Sequence, residues 1–206
     1  MRPRIWADVA PLMLASRSES RRALLVAAGL EVEVHPAEID ERAFERQFFE
    51  EGGAPRDLAL ALAQAKALAI SGLKPDAYCL GADQTLILEG QLIHKPRDLA
   101  EAAQTLTALA GRKHSLISAY AVARSGMTLI VDDAEAELTM RVLDRETIRK
   151  YLNLAGQSAL SSVGGYQLEG LGVHLFEGIE GDHFTVLGMP MLRLLSWLRL
   201  QRLVIL

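Results

Sequence analysis

Short apolar runs with strand character alternate with longer helical patterns along this chain, and that alternation restricts its fold more than any other property of the sequence. Leu12-Met13-Leu14-Ala15 reads as a short buried strand, followed at once by Ser16-Arg17-Ser18. Ser18 can cap a helix carrying Arg21, Arg22, Leu24 and Leu25, which Gly29 would stop. Val32 and Val34 alternate with charged residues, as in a half-buried strand, and the pattern turns polar and helical around Asp40-Glu41. Leu58, Leu62, Ala65 and Ala69 then mark one face of an Ala/Leu-rich helix ending near Gly72. Lys66 lies near the edge of that face, an odd place for a solvated lysine.

The second half continues the alternation. Tyr78 to Ala82 predicts a buried strand that delivers Asp83 at its end, and Leu86–Leu88 and Leu92–His94 flank a Glu89-Gly90 hairpin. Asp98 and Glu101 form a capping-box-like pair opening a helix that Gly111 closes. Leu116 to Val142 offers three strands, with turns at Ser125-Gly126 and Asp132-Asp133, and a helix follows from about Asp144 to Asn153. The glycine-rich stretch from Gly164 to Gly188 predicts short strands or loops, in which Asp182-His183 orders the approach to a last helix after Pro190. Strands interleaved with helices give the α/β class, and the hairpins make the sheet mixed. No repeat or linker divides the chain, which reads as a single domain over residues 1–206.

Composition excludes several functions. A chain of 206 residues can bury roughly 70% of its extended surface and needs no disulfide or metal staple. With 5 Phe, 2 Trp and 4 Tyr, its core must be built from Leu, Ala, Val and Ile. The 22 Lys and Arg against 26 Asp and Glu, a formal charge of −4, argue against a nucleic-acid partner, and the few rings argue against a stacking platform. The lone Cys79 excludes a disulfide framework or CxxC site and reads as a buried structural thiol. His35, His94 and His174 show no spacing fit for zinc. Met1-Arg2-Pro3-Arg4 has the outline of a signal peptide, but Asp8, Pro11 and Arg17 break it, so it reads as a short tail before the first strand. No apolar run reaches the ~18 residues of a membrane span, so no membrane partner and a soluble cytoplasmic protein are expected.

Three constellations could carry chemistry. The strand, Ser16-Arg17-Ser18, helix sequence presents free backbone N–H groups and a helix dipole to an anion, and Arg17 and Arg21 can add charge-assisted bonds to phosphate. The same residues also suit a plain serine N-cap with solvated arginines. Gly81-Ala82-Asp83-Gln84 mounts a carboxylate at a strand end, where a general base or a magnesium ligand would stand, or where an Asp simply opens a turn. Lys66 and Lys95 form the third, with Lys95-Pro96 placed so that its ammonium could reach back over the strand end. Asp40-Glu41 adds an acidic pair.

Read together, these pieces resemble the Maf (septum formation inhibitor-like) family of nucleoside triphosphate pyrophosphatases. The resemblance runs from Leu14 to about Leu198, through Leu14-Ala15-Ser16-Arg17-Ser18 with Arg21, Asp40-Glu41, Lys66-Ala67, Ala82-Asp83-Gln84, Lys95-Pro96, and Gly111 with His114. It continues through Gly164-Gly165-Tyr166-Gln167-Leu168-Glu169-Gly170, Ile179-Glu180-Gly181-Asp182 and Leu187-Gly188-Met189-Pro190. The resemblance implies a cytoplasmic enzyme, linked by the family's name to septum formation, that splits a nucleoside triphosphate into monophosphate and pyrophosphate. It implies an elongated mixed β-sheet flanked by helices, inosine-triphosphatase-like, with two lobes around a cleft, and a homodimer. Carried over, Asp83 matches the catalytic carboxylate and Glu41 the acidic residue that helps hold a divalent cation (Mg²⁺, Mn²⁺ or Co²⁺). Ser16, Arg21, Lys66 and Lys95 match phosphate contacts, with Arg17 and Ser18 beside them, and His114 and Gln167 support the cleft.

The chain departs from the commonest pattern at three informative places. Glu19 stands where most members have Pro, Gln84 where they have Thr, and Glu169 where they have Gln. The last two resemble the branch acting on 7-methyl-GTP, and a carboxylate suits the guanine N1–H and 2-amino donors. Ser20 matches neither the Trp of that branch nor the Arg of the dTTP/UTP branch. Ser20, Gln84 and Glu169 are therefore the expected base-reading positions. The expectation leans to a methylated guanine nucleotide, against a dTTP/UTP pyrophosphatase or a nucleotide-binding regulator of division with little catalysis.

Overall fold

A computed structural model of the chain describes residues 5–8 and 10–206; the N-terminal tail expected at Met1-Arg2-Pro3-Arg4 lies outside them. Its strands are β1 (Leu12–Leu14), β2 (Val32–Val34), β3 (Cys79–Leu88), β4 (Gln91–Ile93), β5 (Lys113–Arg124), β6 (Met127–Met140) and β7 (Phe176–Glu180). Its helices are α1 (Glu19–Ala27), α2 (Glu41–Glu50), α3 (Leu58–Leu73), α4 (Leu99–Leu109), α5 (Arg145–Ala155), α6 (His183–Val186) and α7 (Met191–Leu200). The seven strands form one mixed sheet in the order β2-β1-β3-β5-β6-β7, with β4 pairing β3. Parallel pairing of β1 with β2 and β3 follows from the helical crossovers between them, and antiparallel pairing of β3 with β4 follows from a two-residue turn. That turn has φ of +51° at Glu89 and +79° at Gly90, and the β5–β6 turn has +52° at Ser125 and +73° at Gly126. Both suit the twist of the strands they join.

The chain groups into two compact units, the first made of residues up to 83 with 118–134 and 188–206, the second of 84–117 and 135–187. In the first, α1, α2, α3 and α7 accompany β1, β2 and the start of β3, and Met13, Ala15, Ile70, Ala77 and Cys79 pack into one cluster. In the second, Leu86, Leu106, Leu109, Leu138, Ile148 and Tyr166 belong to a core surrounded by α4, α5 and β7. Among the described residues no helix is long and apolar enough to cross a membrane.

Local signals set most helix starts. Ser18, Asp40, Asp98 and Asp144 each accept a backbone N–H three residues on, and so satisfy donors that the first helical turn leaves open. Glu101 reaches back to the N–H of Arg97, so the pair with Asp98 is close to the expected box. Asp182 caps the four-residue α6.

Four expectations change. The strand expected to stop at Ala82 runs on through Asp83 to Leu88, because Asp83 and Gln84 find polar partners and need not leave the sheet. The turn expected at Asp132-Asp133 is absent, and two strands replace three: Asp132 accepts from Arg193 at 3.0 Å and from the N–H of Asp133 at 2.9 Å, so the acid sits within β6. The buried residues of α3 are Leu58, Ala59, Leu62, Ala63, Lys66, Ala67, Ile70 and Ser71, while Ala69 is exposed. The lysine belongs to the buried set. Finally, the glycine-rich stretch expected to carry short strands or loops holds 3₁₀ turns at Val163–Gly165 and Leu171–Leu175 ahead of β7, and the short α6 after it.

Candidate active site

The chemistry gathers around one lysine. Lys66 sits in the middle of a largely apolar stripe of α3 and is 7% exposed. A lone buried ammonium would be costly, so it must be paired. Its Nζ donates to Asp83 Oδ1 at 2.6 Å and lies 2.6 Å from Glu41 Oε1. Asp83 comes from β3 and Glu41 from the first turn of α2, immediately after the capping Asp40. Three elements therefore converge on one charge.

Gly81 makes this convergence possible. It shares a strand face with Asp83, since side chains two residues apart point the same way. A Cβ built on Gly81 would lie 2.0 Å from the carbonyl oxygen of Ala63 and 2.6 Å from the nitrogen of Ala67, both backbone atoms of α3. Only a glycine lets the helix approach β3 closely enough for Lys66 to reach Asp83.

Arg21 extends the arrangement. Its Nε donates to the carbonyl of Gly188 at 2.9 Å, and its Nη1 donates to Ala82 O at 2.8 Å and Ser16 Oγ at 3.2 Å. Burial draws the guanidinium below its ordinary pKa, while the charges of Asp83 and Glu41 act in the opposite direction. Ser16 Oγ also accepts the N–H of Ser18 at 3.2 Å, and Ser18 Oγ accepts the N–H of Arg21 at 3.3 Å. The turn entering α1 is thus stitched by its own hydroxyls, with α1 following directly behind it. Arg17 is exposed on that turn and Ser20 half-buried in the first turn of α1.

The structure holds Ser16, Ser18 and Arg21 in one bonded group and Glu41, Lys66 and Asp83 in another, and the Arg21 guanidinium feels the charge of both acids. Lys95, expected beside them, is an exposed residue of the segment between β4 and α4, in the second unit. Glu169 is exposed in the segment after Tyr166 in that same unit. Gln84 follows Asp83 but its amide nitrogen donates to the carbonyls of Thr185 at 3.1 Å and Val186 at 3.0 Å. That nitrogen is a structural tie to α6, which sequence reading did not foresee.

Sequence reasoning also left the organisation of the 164–170 segment open. His114 is buried, its Nε2 2.7 Å from the Tyr166 hydroxyl, and Phe176 packs edge-on against the Tyr166 ring at 4.7 Å. Tyr151 donates to the carbonyl of Gly165 at 3.2 Å, and Ser162 Oγ donates to the carbonyl of Tyr166. Burial pulls the His114 pKa down to about 4, so the ring is neutral at physiological pH. His114, three residues after Gly111, was the available signal, but its partner lies 52 residues away. Cys79 is fully buried, and burial pushes its thiol up to about 11. It is an inert core residue.

A divalent cation fits the acidic pair. Among the described residues no group of three or more His, Cys, Asp and Glu side chains could enclose a metal. A magnesium-type ion does not require one, because it takes one or two carboxylates and completes its shell with phosphates and water. Glu41 and Asp83 already direct oxygens at a single cation, the Lys66 ammonium.

The chain matches the Maf-like protein family over residues 11–201. It is 52% identical over 200 residues to a nucleoside triphosphate pyrophosphatase of Rhodopseudomonas palustris (strain HaA2), covering 97% of this chain and 98% of that protein. It is 51% identical over 188 residues to a 7-methyl-GTP pyrophosphatase of Rhizobium etli, covering 91% of this chain and 94% of that protein. Among solved structures, a nucleoside-triphosphatase / dITP/XTP pyrophosphatase from Mycobacterium abscessus is 16% identical, covering 91% of this chain and 93% of that one at a TM-score of 0.40. A superposition that loose supports no inference about site or substrate. With a match over nearly its whole length, joined to relatives that share half its residues, the chain belongs to the Maf family.

Proposed function

We infer that this chain is a nucleoside triphosphate pyrophosphatase that hydrolyses the α–β phosphoanhydride, releasing the monophosphate and pyrophosphate. The observation that carries the reading is the buried Lys66 ammonium held at 2.6 Å by both Asp83 and Glu41. A structural ion pair needs one partner; a buried cation shared by two carboxylates beside a helix N-terminus suits an anionic substrate with many oxygens.

In this mechanism Asp83, fixed on a strand, orients and deprotonates the water that attacks the α-phosphorus. Lys66 and Arg21 act on the charge that develops on the phosphoryl oxygens, and Ser16, Arg17 and Ser18 with the α1 N-terminus receive the remaining phosphates. Glu41 and Asp83 would hold a divalent cation, Mg²⁺, Mn²⁺ or Co²⁺, which when bound neutralises phosphate charge. The expected setting is the cytoplasm, with the whole chain acting as one catalytic domain.

We propose a methylated guanine nucleotide of the 7-methyl-GTP type as the preferred substrate. It is supported by the name of the Rhizobium etli relative and by Glu169, a carboxylate able to accept from guanine N1–H and the 2-amino group. A second reading is dTTP or UTP: Ser20, which matches neither branch, offers no ring to stack on a cationic base, and the Gln84 amide nitrogen is bonded to backbone. Pyrophosphate release measured over 7-methyl-GTP, GTP, dTTP and UTP with each metal decides between them. Turnover of 7-methyl-GTP no faster than that of dTTP and UTP would sink the methylated-guanine reading. No release from any nucleotide would leave the nucleotide-binding regulator of division as the remaining account.

A further inference from the structure

We propose that Lys66 occupies the place of the divalent cation until a nucleotide arrives, so that metal and triphosphate enter this site as a unit. The inference rests on the pyrophosphatase reading and deepens it by naming the form of the substrate, a metal–nucleotide chelate.

Glu41 Oε1 and Asp83 Oδ1 each lie 2.6 Å from the same nitrogen, and they come from separate elements, α2 and β3. Two carboxylates brought that close repel each other unless a cation stands between them. The ammonium cancels one of their two charges, and the nearby Arg21 guanidinium interacts with both. The Lys66 and Asp83 side chains are 9% and 13% exposed while that of Glu41 is 55% exposed, so the triad meets solvent on the Glu41 side.

A hard divalent ion binds carboxylate oxygens at about 2.0–2.1 Å. It cannot share the same two oxygens with an ammonium hydrogen-bonded to them, so one cation must leave. Lys66 is buried, and among the described residues its ion-pair partners are these two carboxylates. A bare metal ion would therefore strand the ammonium without an anion, at a cost that opposes its own binding. A triphosphate removes the conflict, because its oxygens give Lys66 a new partner while the metal takes the carboxylates. Metal and nucleotide then strengthen each other's binding, reciprocally.

The test uses metal-stripped protein, Mn²⁺ followed by electron paramagnetic resonance, and an α,β-methylene nucleoside triphosphate followed by calorimetry. In the unaltered protein Mn²⁺ alone binds weakly, and its presence tightens the analogue by roughly 5- to 150-fold. In Lys66→Met and Lys66→Gln, with folding checked by thermal melts, Mn²⁺ alone binds about tenfold tighter than in the unaltered protein and the coupling shrinks. The arm with the unaltered protein needs no variant to fold. Equal analogue affinity with and without Mn²⁺ overturns the proposal, as does a folded Lys66 variant that binds Mn²⁺ no more tightly than its parent. Pyrophosphate release by the same preparation separates the failures: release without coupling overturns the cation exchange alone, and no release overturns the pyrophosphatase reading with it.

Discussion

Replacing Gly81 by alanine adds one methyl group at the point where β3 and α3 touch. The new carbon would stand 2.0 Å from Ala63 O and 2.6 Å from Ala67 N. Both are main-chain atoms of a helix held by its own hydrogen bonds, so no side chain can swing aside. Relief requires α3 to withdraw by at least about 1 Å, and overpacking of this kind costs about 3 kcal/mol, the upper part of the usual range. For a chain of this size that lowers Tm by about 6–12 °C. Activity should suffer more than stability. Lys66 lies between Ala63 and Ala67 on the moving helix, so its 2.6 Å bond to Asp83 would stretch to roughly 3.6 Å, beyond hydrogen-bond range. Misplacement of that size can cost roughly 10²-fold in rate. Thermal melting and pyrophosphate release on the purified variant measure both effects. If Gly81→Ala melts within about 1 °C of its parent and keeps its turnover, the close helix–strand approach is not what assembles the site.

Three further outcomes are expected. Asp83→Asn removes the carboxylate assigned to water while Glu41 still holds Lys66; it should stay folded by circular dichroism and lose roughly 10²–10³ in kcat, and full activity would refute the role. His114 has a folded pKa of about 4, below its unfolded value, so the unfolded chain takes up the proton first on acidification. Its contribution is complete above about pH 6.5 and is lost as pH falls toward 4, by about 3 kcal/mol. Urea denaturation should therefore show His114→Phe losing less stability than its parent between those pH values, and parallel pH profiles would exclude the effect. Cys79 should not react with a thiol reagent in the native state and should react on unfolding; rapid native labelling would contradict its burial.

What could be read from the sequence was what depends on near neighbours. The caps Ser18, Asp98 and Asp144 satisfy donors three residues away, and the Glu89-Gly90 turn is set by its own backbone. Sequence patterning misjudged polar residues whose partners are remote. Asp132 looked like a turn because Arg193, which neutralises it, comes 61 residues later. Asp83 looked like a strand end for the same reason, with Lys66 lying 17 residues earlier on another element. Lys66 was visible as an anomaly in an apolar stripe, but only the fold shows the two acids that resolve it. Gly81, a glycine inside a predicted strand, marked a close approach of some backbone without saying which, because closeness between a strand and a helix leaves no mark on the residues flanking it.

Two of the bonds of Arg21 also bear on how the enzyme comes into being. They tie α1 to chain 61 positions away at Ala82 and 167 positions away at Gly188. Such distant segments meet only after a large loss of chain entropy, and contacts of this kind slow folding and form after local helices and hairpins. Recovery of activity during refolding should therefore lag the return of helical signal. A nascent chain would carry every residue of the Lys66 triad well before Gly188 is made, yet remain without the tie that fixes Arg21 beside it.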